Sequence, residues 1–151
     1  MKNVWRLIRQ REHKDEALAW CRENSRISVG WNKIGDIRKQ GYRSADDIGA
    51  AIRKAYPQGH DSGGPSLWNF YSEIQIGDLV ILSAGRPRVF VVEINGEYEY
   101  IEGPRSHGIP YSHQRSTLVS GWKPEELWQK AGGGAAGQNI RWTLIRCANQ
   151  V

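Results

Sequence analysis

Residues 67–82, LWNFYSEIQIGDLVIL, constrain the fold more than any other stretch, because they join an aromatic helical turn to an apolar run through a glycine. Leu67, Phe70, Tyr71 and Ile74 recur at offsets 0, 3, 4 and 7, which places them on one helical face turned to the core. Trp68 falls on the flank of that stripe, where its own helix covers a large ring only in part and the indole can line a cleft. Gly77 and Asp78 supply a turn, and Leu79, Val80, Ile81 and Leu82 form the continuous apolar run of a strand buried on both sides. The junction is expected to form one wall of a pocket.

The rest of the chain supplies the remaining elements in order. Val4–Arg9 alternates as a strand with one mostly apolar face, and Lys14–Asn24 carries good helix formers with Ala17, Leu18 and Cys21 as its stripe. A short strand at 27–29 ends at Gly30, and Trp31 follows it directly. Ser44 and Asp47 form a capping-box signature for a helix whose buried stripe is Ile48, Ala51, Ile52 and Ala55, with Pro57 as its end. The glycine, proline and serine density of 58–66 predicts a mobile loop able to act as a lid. Val89 to Ile94 reads as a strand that meets Asn95-Gly96, a strong hairpin signal, with a return strand over 98–101. A long loop over 103–113, a strand over 116–122, a short helix over Pro124–Lys130, a flexible GGGAAG connector at 132–137 and a last strand over 140–146 complete the chain. Six or seven short strands with two or three helices imply a small α+β domain, its sheet strongly bent or closed into a small barrel.

Length and charge bound the function. At 151 residues the chain suits one domain, and no run of some eighteen apolar residues is present to span a bilayer. The N-terminus lacks a continuous apolar stretch, so a cytoplasmic location is the expectation. Cys21 and Cys147 are far apart and in no CxxC pairing, which reads as two buried thiols. A net charge of +5 favours a polyanionic partner. Lys2, Arg6, Arg9, Arg11 and Lys14 open the chain, Lys33, Arg38, Lys39 and Arg43 follow Trp31, and Arg86, Arg88, Arg105 and Arg115 come later. The sequence carries little enzyme chemistry. The one Glu-x-Lys, at Glu12 and Lys14, has no acidic residue before it, His60, His107 and His113 lack metal-ligand spacing, and GGGAAG lacks the GK[ST] ending of a phosphate loop. Neither an enzyme, a metal nor a cofactor is expected, and any cleavage would belong to another domain or a partner chain.

Together, ISVGW at 27–31, LWNF at 67–70, GDLVIL at 77–82, the strand pair carrying Tyr98 and Tyr100, and HQRS at 113–116 resemble the EVE and YTH branch of the PUA-like superfamily. The chain is similar in particular to the N-terminal modified-base readers of modification-dependent restriction endonucleases, over nearly all of residues 3–146. That resemblance implies a PUA-like barrel that takes a flipped, methylated DNA base into an aromatic cage, with double-stranded DNA and a nuclease domain or chain as partners. It carries the cage tryptophans onto Trp31 and Trp68. Ser28, Asn32 and Asn69 are close enough in sequence to offer hydrogen bonds, Tyr71 or Tyr98 is available as a third wall, and the arginine and lysine clusters would meet phosphates. A reader of methylated RNA fits the same residues. So does a small-ligand or protein-interaction module whose tryptophans are all core.

Overall fold

The computed structural model of the protein describes residues 1–9, 13–59, 63–103 and 110–151. Arg11, Glu12, His60, Arg105 and His107, with the middles of the loops predicted over 58–66 and 103–113, lie outside the described residues. The elements run β1 (Val4–Arg9), α1 (Lys14–Asn24), β2 (Arg26–Val29), a 3-10 turn (Asn32–Ile34), α2 (Ile37–Gln40), α3 (Ala45–Ala55) and α4 (Gly63–Trp68). After a π turn (Asn69–Glu73) come β3 (Leu79–Ala84), β4 (Arg88–Ile94), β5 (Glu99–Tyr100), β6 (His113–Val119), α5 (Pro124–Lys130) and β7 (Leu144–Arg146). The strands form one mixed, strongly curled sheet in the order β2-β6-β4-β3-β1-β7, with β5 also on β6. The β1–β3 pair is parallel and the rest are antiparallel. The fold is α+β, with a near-barrel sheet flanked by helices.

β3 is buried along its whole length because helices cover both faces of the sheet. Val80 and Leu82 join the larger core with Trp5, Leu7, Leu18, Ile48, Ile52, Leu67 and Phe70, while Leu79 and Ile81 pack with Val91 and Leu127 under α5. The turn before it is fixed by Asp78, whose carboxylate accepts from the Trp5 indole N–H at 3.0 Å and the Gln75 amide at 3.0 Å. Ser44 caps α3 as expected, its hydroxyl accepting from the Asp47 amide, and the Asp47 carboxylate accepts from the Arg43 amide.

Both outer strands of the sheet are covered, which blunts the unpaired edges that would otherwise invite association. The Leu144 amide donates to the Ser66 hydroxyl at 3.1 Å, and the Leu144 carbonyl accepts from the Asn69 amide group at 3.2 Å. At the other edge the Arg9 guanidinium donates to the Ser28 carbonyl and lies 5.2 Å from the Tyr111 ring centroid.

Several expectations are corrected. Asn95-Gly96 does not turn the chain back. Ile94 pairs with Thr117 and Glu99 with Gln114, so β4 and β5 run in one direction along β6 with a bulge between them. Five residues advance on one side against three on the other, a surplus of two that bends the strand. The strand predicted over 116–122 starts and ends three residues earlier, as β6. Gly63 to Ser66 is helical and largely buried rather than loop. The last strand shrinks to β7 because the carbonyls of Ile140 and Trp142 accept from the buried Arg6 guanidinium, at 3.0 and 2.6 Å, instead of joining a ladder. The predicted flexible connector is tied down: Gly134 bridges Cys147, and the Ala148 amide donates to the Gly133 carbonyl.

Gly64 marks where α3 and α4 cross. A Cβ there would lie 2.6 Å from the Ala45 carbonyl oxygen and 3.1 Å from the Gly49 backbone, neither of which can swing aside. Gly64→Ala is expected to cost about 2 kcal/mol or more. Gly121→Ala, which meets open space, should change stability by less than about 0.5 kcal/mol. Urea titration of both variants checks this, and equal midpoints would mean that the helices do not approach so closely.

Candidate functional site

Of the aromatic residues that the sequence singles out, Trp68, Tyr71 and Tyr98 come together, whereas Trp31 is set against Gly63 at the other end of α4. Trp31 follows β2 with φ 64° and ψ 46°, a left-handed conformation that costs a bulky L-residue roughly 1–2 kcal/mol. Its ring lies on the first turn of α4: a Cβ added to Gly63 would sit 2.7 Å from Trp31 Cζ2 and 2.8 Å from Ile52 Cδ1. Only bare backbone admits the indole there. Trp31 is half-buried, packed on the edge of the larger core.

Trp68 closes α4 and is also half-buried, in keeping with its place on the flank of the helical stripe. Its indole N–H donates to the Glu73 carboxylate at 3.3 Å, five residues on, a spacing that the π turn brings within reach. Tyr71 is tilted against Trp68 at 6.1 Å between ring centroids and meets the Tyr98 ring edge-on at 5.0 Å. Tyr98 in turn stacks on His113 at 5.8 Å, and Tyr100 lies 5.3 Å from the same imidazole. A chain of rings thus runs from the end of α4 to the start of β6.

The polar residues expected at the pocket divide. Asn32 lies beside Trp31 but serves the scaffold, its side-chain oxygen accepting from the Ser112 amide at 2.8 Å and its carbonyl from the Tyr100 hydroxyl at 2.9 Å. Ser28 is buried within β2, and the Asn69 amide is spent on β7. Tyr98 is only 3 % exposed, so it backs Tyr71 rather than facing a ligand. Burial pushes its phenol pKa up, which keeps it a hydroxyl donor.

The cations divide as well. Lys33, Lys39 and Arg43 are exposed on the segment after Trp31, with the Lys33 ammonium 5.0 Å from the Tyr56 ring centroid. Arg38 shares that segment, pairs with Asp36 at 3.3 Å and lies 5.4 Å from the Tyr98 centroid. Arg86 is exposed at the β3–β4 turn. Arg88 is corrected, since its guanidinium pairs with Glu125 at 3.0 Å and covers Trp128 at 4.1 Å, against α5 and away from the ring chain. Arg115 is corrected too. At 2 % exposure, its guanidinium donates to the carbonyls of Gly96 (3.0 Å), Phe70 (3.2 Å) and Ile74 (2.8 Å), so none of it faces solvent as a phosphate ligand would require.

A concavity of about 360 Å³ opens beside Asp36, Lys39, Gln40 and Tyr100, and another of about 420 Å³ opens between residues 1–3 and 146–150. Neither is lined by Trp31 or Trp68. Among the described residues no group of three or more His, Cys, Asp or Glu side chains could hold a metal ion, and no helix is long and apolar enough to cross a membrane.

A family described as a domain of unknown function (DUF8426) matches residues 5–120. The chain belongs to that family. The match runs from β1 through β6, so the DUF8426 segment contains the whole ring chain and the basic segment, while α5 and β7 fall beyond it. No curated protein matches the chain.

Sequence reasoning missed how two buried residues of β6 are used. His113 drew notice for lacking zinc spacing and as the first residue of HQRS, and Arg115 read as a phosphate contact. Their separation by two in a strand, which sends both side chains to one face, was the available signal. Arg115→Met is expected to cost about 3 kcal/mol or more, because three carbonyls lose their donor; a loss below about 1 kcal/mol in urea titration would contradict this role. Burial holds both thiols above their ordinary pKa, Cys147 at about 11. The reactive thiolate is therefore scarce at neutral pH, and neither cysteine should react with a thiol reagent until the protein unfolds.

Proposed function

We propose that this domain is a modified-base reader of the EVE/YTH type, taking a flipped, methylated DNA base against Trp31 and Trp68 as the specificity module of a modification-dependent restriction system. The observation that carries the reading is Trp31. A half-buried indole held in a left-handed backbone is a costly arrangement for core packing alone, and such outliers concentrate at ligand sites. The exposed cations Lys33, Lys39 and Arg43, with Arg38, lie on the segment that begins beside that indole.

The energetics suit this division of labour. Extruding a base costs a few kcal/mol, and stacking on an aromatic face returns roughly 1–3 kcal/mol, so two tryptophans about balance extrusion. Phosphate contacts then supply the net affinity. If Lys33, Arg38, Lys39 and Arg43 each neutralise one phosphate, the log–log salt slope should be about −3.6 on modified and unmodified duplexes alike. One buried methyl contributes about 0.8 kcal/mol, or roughly fourfold. The empty methyl site on an unmodified base and the weaker pairing of a methylated one raise the expected preference to about ten- to a hundredfold.

Titrating otherwise identical modified and unmodified duplexes across a range of salt tests both terms. The preference should hold as salt rises, since stacking and methyl burial are not ionic. A preference that disappears with salt, or none across N6-methyladenine and 5-substituted cytosine duplexes, would overturn the reading. Methylated RNA that outcompetes the DNA would reassign the substrate. Trp31→Ala and Trp68→Ala should each reduce the preference about tenfold or more while the domain stays folded at 25 °C; a variant that is unfolded in a thermal melt would place that ring in the core.

A further inference from the structure

We propose that His113 is the positioning residue for Trp31: through its Nε2–H it latches the Trp31 carbonyl and holds the indole in the left-handed conformation that the reader uses. The proposal rests on the reading of Trp31 as a pocket wall, and it concerns a residue that would never touch the base.

With the imidazole neutral, the hydrogen bonds leave one tautomer. The Trp31 carbonyl lies 3.1 Å from His113 Nε2 and can only accept, so Nε2 carries the proton. In a neutral imidazole Nδ1 is then an acceptor, and the Tyr98 hydroxyl stands 2.6 Å from it. That hydroxyl accepts from the Ile37 amide at 3.2 Å, which leaves its own proton to point at Nδ1. The relay therefore runs from the Ile37 amide through Tyr98 and His113 to the Trp31 carbonyl. It grips the segment on both sides of the 3-10 turn, at residues 31 and 37, with Asn32 pinned between them by Tyr100 and Ser112.

The latch sits on rigid ground. His113 is fully buried, and it pairs with Val29 of β2 on one side and Tyr100 of β5 on the other. Trp31 is two residues beyond Val29, so the register of the sheet reaches the indole through one side chain. Left-handed backbone at a bulky residue reverts unless its surroundings over-determine it. The bare backbone of Gly63 receives the ring from one side, and the imidazole fixes the peptide from the other.

Two substitutions separate positioning from plain packing. His113→Gln places an N–H where Nε2 stands. His113→Asn reaches only as far as Nδ1 and leaves the Trp31 carbonyl without its donor. Backbone chemical shifts of Trp31, measured without ligand, should report left-handed geometry in the wild type and in His113→Gln but not in His113→Asn. The ratio of dissociation constants for unmodified over methylated duplex should fall about five- to tenfold in His113→Asn and recover in His113→Gln. Binding to unmodified duplex and its salt slope should be unchanged in both. Left-handed shifts that persist in His113→Asn, or both variants losing melting temperature equally with the ratio intact, would reduce His113 to a packing residue and overturn the proposal. If the wild type shows no preference for methylated duplex, the reader assignment fails by itself, and the Trp31 shifts still decide whether the latch exists.

Discussion

The buried guanidinium of Arg115 is the interaction on which the arrangement of the aromatic residues depends. A π turn leaves carbonyls without helical partners, and a bulge leaves them without ladder partners; a carbonyl stranded in the interior costs roughly 1–3 kcal/mol. Arg115 answers both irregularities with one fork, donating to Phe70 of the π turn, to Ile74 that caps it and to Gly96 of the bulge. Burial lowers its pKa, yet an arginine starts high enough to stay charged at neutral pH. It thereby fastens the segment carrying Trp68 and Tyr71 to β6.

β6 also anchors the segment that carries Trp31. His113 and Arg115 project from the same face of one strand, the first toward the Trp31 carbonyl and the second toward the π turn. Trp31 and Trp68 come from chain segments almost forty residues apart and from different elements, so their geometry cannot be set locally. Two side chains spaced two apart on a buried strand give the two segments a common reference. The bulge at Asn95 and Gly96 belongs to the same device, since the Asn95 amide donates to the Ser116 carbonyl at 3.0 Å and the added residues bring Tyr98 beneath the imidazole.

The sequence was legible where one face of a regular element is apolar. β1, α1, α3 and the doubly buried β3 follow from the pattern of apolar residues, β2 and α5 from a closing glycine and an opening proline, and the Ser44 cap follows from a local hydrogen bond that needs no tertiary partner. What periodicity cannot carry is the destination of a long polar side chain. Arg6, Arg88 and Arg115 read as surface charge, yet each spends its guanidinium inside the protein or against another helix. Asn95-Gly96 is a true hairpin signal in a two-residue loop, but here the competing pairing with β6 wins and the glycine serves close approach to Ser116. Trp31 was legible as a residue just past a strand. Its left-handed backbone was not, because nothing about tryptophan favours that conformation and the residues that enforce it, His113 and Gly63, are distant in sequence.

Withdrawing Arg88 and Arg115 from the cations available to a polyanion changes how the proposed reader can work. Four cations remain on the segment after Trp31, one of which, Arg38, already faces Asp36, and Arg86 remains at the β3–β4 turn. With four phosphate contacts, raising salt from 50 to 200 mM costs about two decades of affinity, which is near 3 kcal/mol and comparable to what a single stacked base returns. The aromatic term and the ionic term are then of similar size, so neither alone sustains tight binding at physiological salt. A lone domain of this kind would bind weakly and discriminate by its pocket. Its affinity would be raised by a second domain or chain that holds the same duplex, because a tethered contact adds effective concentration without any new contact at the cage.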